Sequence, residues 1–242
     1  MGLAPDGGLF VPEYFPQIDE DRMSEYAHMP FEQVSGDILS EYFDIDKAEM
    51  MRICLQAYSR FDNSEIVPLR YLGRGLYAME LFHGPTLAFK DVALQLLPLL
   101  MAYSAKATGQ KEKSLLLVAT SGDTGKAALE GFADKEDTAI IVFYPKDGVS
   151  HAQRLQMVTQ AGSNVQVIAV EGDFDACQNG VKQLMGSESF QSKIGELGFK
   201  LSSGNSINFG RLAPQIVYYF SSYTQLLRTN EIQPGEVVDF II

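Results

Sequence analysis

The chain is patterned in two ways. From about residue 76 onward, apolar runs alternate with amphipathic stretches. The run SLLLVAT (114–120) is apolar at almost every position, which predicts a parallel strand covered on both faces. TAIIVFY (138–144) and NVQVIAV (164–170) repeat that texture. Helices are predicted from Thr124, from Ser150 and from Asp173 (DFDACQNGVKQLM). After a polar stretch comes FKLSSGNSIN, then a long helix FGRLAPQIVYYFSSYTQLLR (209–228), and GEVVDFII reads as a last strand. LYAMELF is predicted as a strand that leads into a helix opening near Phe89. The sum is an α/β fold, a doubly wound, mostly parallel sheet.

Before that region the pattern is different. Residues 1–16 are rich in Gly and Pro and read as extended loop. FEQVSGDILSEYF and DKAEMMRICLQAYSRF predict two helices, the second capped by Asp46. SEIVPLRYLGRGLYAMEL predicts extended segments with a turn at Gly73–Gly75. The expected organisation is a mostly helical N-terminal unit over 1–75 and an α/β domain over 76–242. No strand-end loop follows Ile242, so the sheet is expected to be incomplete and its last strand uncovered, free to self-associate.

Three polar clusters interrupt the apolar pattern. Lys90 stands at the mouth of the apolar segment KDVALQLLPLLMAY. The positive end of a helix and partial desolvation both favour a neutral, nucleophilic amine there. A lysine whose apolar stem packs on the surface and whose amine pairs with Asp91 or another carboxylate is the plainer reading. TSGDTGKAA (120–128) turns a strand into a helix, and Ser121, Gly122, Asp123, Thr124 and Gly125 offer hydroxyls and amides to an anion, or merely cap the helix. SGNSINFGR (203–211) places Asn205, Ser206, Asn208 and Arg211 at another helix start, a set suited to a dianion such as phosphate, or simply a capping segment with a surface arginine. Pro98 is expected to kink the helix that Lys90 opens.

Composition narrows the field. The 242 residues carry a net charge of −12 and a pI near 4.7, which argues against nucleic-acid and anionic-membrane partners. No run is long enough to span a membrane, and no signal peptide is visible. Cys54 and Cys177 give neither a disulfide framework nor metal spacing, and they read as reduced thiols of a cytoplasmic protein. His28, His83 and His151 form no metal constellation, although His83 and Thr86 lie close to Lys90 in sequence. A Walker A loop and a G-x-S-x-G elbow are both absent.

GLAPDGGLFVP (2–12), FHGPTLAFKD (82–91), ATSGDTGKAA (119–128) and NSINFGRLAPQ (205–215) together resemble threonine synthase, a pyridoxal phosphate enzyme of fold type II. That resemblance implies conversion of O-phosphohomoserine and water to threonine and phosphate. It implies that Lys90 carries the cofactor as a Schiff base, with Phe89 beside the ring and Asp123 near the ring hydroxyl. The SGDTG loop would hold the amino-acid carboxylate, and Ser206, Asn208 and Arg211 the substrate phosphate. His83 and Thr86 would line the substrate side. Family members carry a leading segment and a later cofactor-phosphate loop, so the resemblance implies a chain truncated at both ends and inactive by itself. A phospho-lyase releasing a keto acid, a dehydratase or sulfhydrylase of the same fold, and a non-catalytic interaction module are the other readings.

Overall fold

The computed structural model describes residues 4, 6 and 8–242, so residues 2, 3, 5 and 7 of the leading motif lie outside the described residues. The chain divides into two compact units, each drawn from separate stretches of sequence.

One unit comprises Pro12–Phe89 and Ala213–Ile242. It contains α1 (Glu20–Tyr26), α2 (Phe31–Ser40), α3 (Lys47–Tyr58), and the hairpin β1 (Leu69–Gly73) and β2 (Leu76–Met79). Asp46 caps α3 as predicted, its side chain accepting from the Ala48 and Glu49 amides. The hairpin turn uses Gly73, Arg74 and Gly75, all at positive φ. LYAMELF therefore supplies an antiparallel partner of β1, with Leu69 opposite Met79, and takes no place in the parallel sheet. A boundary at 75/76 would fall inside this hairpin. Beneath these elements the buried Asp37 carboxylate gathers Arg22, Tyr26 and Lys47. Burial pushes its pKa up, but hydrogen bonds from Lys47, Tyr26 and Arg22 outweigh that and hold it below the ordinary carboxylate value.

Residues 235–242 form no strand, contrary to the apolar pattern. Their contacts are a turn bond from the Glu236 amide to the Gln233 carbonyl and contacts with tyrosine side chains. The Gly235 amide donates to the Tyr223 hydroxyl at 3.0 Å, and Phe240 packs edge-on against Tyr219. Val237 and Ile241 stay almost fully exposed. The uncovered strand edge expected at the end of the chain is thus not formed.

The other unit comprises Lys90–Leu212 with the described residues up to Val11. It runs α4 (Asp91–Leu94), α5 (Leu97–Ala107), β3 (Lys113–Ala119), α6 (Asp123–Phe132), β4 (Thr138–Pro145), α7 (His151–Val158), β5 (Val165–Val170), α8 (Phe174–Gly186), α9 (Glu188–Glu196) and β6 (Phe199–Ser203), and ends in the first turn of α10 (Phe209–Arg228). The four strands are parallel, in the order β5-β4-β3-β6. Alternate residues of β3 feed two cores. Leu116 and Val118 meet Ala127, Leu129, Phe132, Leu94 and Leu97 on one face. Leu115, Leu117 and Ala119 meet Cys177 and Val181 on the other. Helices therefore cover both faces, as a doubly wound sheet requires.

The helix expected from Phe89 is broken in two. α4 is a single turn, and Pro98 sits in the first turn of α5, where its missing N–H costs nothing. α9 was invisible as a helix in the sequence, because none of its residues is buried.

Candidate active site

Strand order reverses between β3 and β6. The chain winds outward through β4 and β5, then returns to the opposite side of β3. In open parallel sheets such a switch point, at the carboxyl ends of the strands, opens the crevice in which ligands bind. Both polar loops read from the sequence, 120–125 and 204–211, leave from these two neighbouring strands.

The first loop is organised by Thr120, whose role the sequence reading missed. Its buried hydroxyl accepts from the Gly122 amide at 3.0 Å and from the Gly125 amide at 2.8 Å, and donates to the Gly122 carbonyl at 3.1 Å. Gly122 lies at φ 153°, and a Cβ there would come within 2.3 Å of the Gln153 side chain, so only glycine fits. The Asp123 carboxylate accepts from the Thr124 amide at 2.9 Å. Three amides expected to face an anion are thus already engaged inside the loop. The outward-facing part of the loop is the exposed Ser121 side chain, the half-exposed Asp123 carboxylate and the partly exposed Thr124.

Lys90 reaches this loop. Its amine donates to Asp123 Oδ2 at 2.9 Å, with the lysine side chain 17% exposed. A one-turn helix supplies little dipole, so the setting expected for a neutral amine is replaced by a carboxylate partner.

In the second loop the residues divide by task. The Asn205 side chain donates to the Ala119 carbonyl at 2.9 Å and accepts from the Ala119 amide at 3.3 Å. Asn208 donates to the Ser203 carbonyl at 3.1 Å and accepts from the Gly210 amide at 3.0 Å, capping α10. Ser206 is exposed, and Arg211 is buried.

His83, Thr86 and Phe89 belong to the other unit. Both ring nitrogens of His83 are taken by carboxylates, Nδ1 by Asp62 at 2.7 Å and Nε2 by Glu80 at 2.9 Å. The Glu80 hydrogen bond, with Asp62 behind it, raises the His83 pKa against a smaller lowering by burial. Thr86 is buried, and Phe89 is partly exposed. Among the described residues no cluster of His, Cys, Asp and Glu is arranged to hold a metal, and no helix is long and apolar enough to cross a membrane.

This arrangement, a parallel sheet wrapped on both faces with a paired lysine at its switch point, is an incomplete α/β fold of the fold type II pyridoxal-phosphate class. Within that class the match is to threonine synthase. The family model for the threonine synthase N terminus matches residues 1–58. Threonine synthase of Eremothecium gossypii is 39% identical over 98% of this chain and 48% of its own length. Human threonine synthase-like 1 is 38% identical over 100% of this chain and 34% of its own length. The crystal structure of PLP-bound threonine synthase from Brucella melitensis matches with a TM-score of 0.83 at 38% identity, covering 93% of this chain and 47% of that one. The yeast threonine synthase structure gives a TM-score of 0.81 at 36% identity, covering 93% and 45%. The resemblance carried by the four motifs is thus borne out, and the chain spans about half the length of the curated threonine synthases it matches.

Proposed function

We propose that this chain carries the lysine and substrate loops of a pyridoxal-phosphate-dependent threonine synthase, acting on O-phosphohomoserine and water to give threonine and phosphate. The reading is supported by Lys90 reaching the Ser121–Gly125 loop, and by that loop and the Ser206–Arg211 loop leaving neighbouring strands at the β3/β6 switch point. The donor set fits the aldehyde and ring-hydroxyl end of the cofactor. Lys90 supplies a primary amine for an aldehyde carbon, and Asp123 an acceptor for a ring hydroxyl. When bound, the cofactor supplies an electron sink for the pair of electrons left when a proton leaves carbon.

The chain's own residues do the rest. The Lys90 amine takes the α-proton as a general base, releases it before taking the β-proton, and returns a proton to the γ-carbon as phosphate leaves and to the α-carbon as water adds. Ser121 and Thr124 hold the substrate carboxylate beside the loop glycines. Ser206 and Arg211 hold the phosphate that leaves from the γ-carbon, and that remote grip orients the reacting carbons. Water then adds at the β-carbon. The two free, buried thiols support a reducing cytoplasmic setting.

The test is to supply pyridoxal phosphate and O-phosphohomoserine to this chain extended to the full length of its threonine synthase relatives, and to identify the products. Threonine and phosphate in equal amounts support the reading. Release of phosphate with a keto acid would instead make the protein a phospho-lyase.

A further inference from the structure

The β3–β6 ladder ends early. Its last backbone pair is Leu117 with Ser203, within a register that places every β6 residue 86 positions after its β3 partner. Continued by two residues, the register would set Ala119 opposite residue 205. The backbone has left the ladder there, yet residue 205 still pairs with Ala119 through its side chain. Asn205 Nδ2 donates to the Ala119 carbonyl at 2.9 Å, and Asn205 Oδ1 accepts from the Ala119 amide at 3.3 Å. The Asn205 amide itself donates to Ser203 Oγ at 3.2 Å, which fixes the turn that releases the backbone. A side chain thus takes the place of a strand residue.

The position of this clamp matters. Thr120, the organiser of the first loop, directly follows Ala119. Ser206, the exposed hydroxyl of the second loop, directly follows Asn205. The clamp is therefore the bridge from which both loops start. One donor and one acceptor of the Asn205 side-chain amide are held by a single backbone residue, which fixes where the side chain lies and leaves one donor and one lone pair uncommitted.

We propose that Asn205 is a positioning residue that fixes the spacing between the carboxylate loop and the phosphate loop, and so selects the chain length of the phosphorylated amino acid. The inference rests on the functional reading above. A substrate with carboxylate and phosphate ends must span both loops, whereas inorganic phosphate needs only the second. A spacer set by paired hydrogen bonds rejects a homologue one carbon shorter, because the shorter molecule cannot satisfy both loops together.

The experiment compares the unaltered chain with Asn205→Ala and Asn205→Asp, with pyridoxal phosphate present throughout. Asn205→Asp keeps the acceptor for the Ala119 amide and sets an oxygen against the Ala119 carbonyl. Thermal unfolding first establishes that each variant is folded. Binding is then measured for inorganic phosphate, O-phosphohomoserine and the shorter O-phosphoserine. Phosphate affinity should change less than about 2-fold, while O-phosphohomoserine weakens about 10-fold and its advantage over O-phosphoserine shrinks by a similar factor. Parallel loss of phosphate and O-phosphohomoserine would make Asn205 a direct phosphate ligand and overturn the proposal. Unchanged discrimination would overturn it too. If the unaltered chain binds none of the three, the functional reading itself has failed.

Discussion

Lys90 Nζ lies 2.9 Å from Asp123 Oδ2, a contact that joins the segment before α4 to the loop after β3. Asp123 is half-exposed, so the pair contributes under about 1 kcal/mol to stability, and Asp123→Ala should unfold at nearly the same temperature as the unaltered protein. Its effect on cofactor binding is expected to be larger. A charge-assisted hydrogen bond of about 1.5–3 kcal/mol corresponds to roughly 10- to 100-fold in affinity, read by spectrophotometric titration with pyridoxal phosphate. A variant that binds the cofactor like the unaltered protein would leave Asp123 without the role assigned to it.

Thr120 is expected to be intolerant of an isosteric apolar residue. Thr120→Val leaves the Gly122 amide without its acceptor in a buried turn, at a cost of about 1–3 kcal/mol, while the Gly125 amide keeps only its 3.2 Å bond to the Gly122 carbonyl. Thr120→Ser keeps the hydroxyl and should recover most of that loss. Denaturant unfolding of the two variants measures the difference, and equal destabilisation by both would show that the methyl group matters more than the hydroxyl.

The sequence made the parallel sheet legible and hid the finer devices. β3 and β4 are continuous apolar runs, the mark of strands covered on both faces, whereas the edge strand β5 is interrupted by Gln166 and leaves Ile168 exposed. Residues 235–242 carry the same local signal, but an apolar run does not say whether a ladder partner exists, and there the contacts are a turn bond and the side chains of Tyr219 and Tyr223. The two loops were legible from Gly, Ser, Asp and Asn at strand ends. The division of labour inside them was not. Asn205 and Asn208 suit a phosphate and a backbone clamp equally well by type, and only the register of β3 against β6 separates the two. Thr120 gave one signal, a hydroxyl residue at the exit of a strand and two positions before a glycine.

Arg211→Lys should separate phosphate recognition from cofactor retention. A guanidinium grips a dianion through two donors in one plane, which an ammonium does not reproduce. Use of O-phosphohomoserine, measured as kcat/KM or as binding affinity, is expected to fall about 10- to 100-fold. Cofactor retention should be nearly unchanged. Loss of the cofactor with normal substrate binding would mean that Arg211 serves the cofactor's phosphate instead.

His83 predicts a pH signature. Its folded pKa is raised above the unfolded value of about 6.5, so the folded state binds the proton more tightly. The resulting stability is fully present below pH 6.5 and is lost as pH rises through the folded pKa. Asp37, whose pKa is lowered, acts at the acid end, outside this window. The melting temperature should therefore fall between pH 6 and pH 9 by more in the unaltered protein than in His83→Gln. Equal changes in both proteins would remove His83 from the account.

The central claim is that Lys90 is the residue to which the cofactor attaches, and it is tested most directly by covalent capture. The protein is incubated with pyridoxal phosphate, reduced with borohydride, digested and mapped by mass spectrometry. One dominant modified peptide is expected, carrying the label on Lys90, and it should be lost in Lys90→Ala. A label on Lys106, Lys126 or another surface lysine, with Lys90 unmodified, would contradict it.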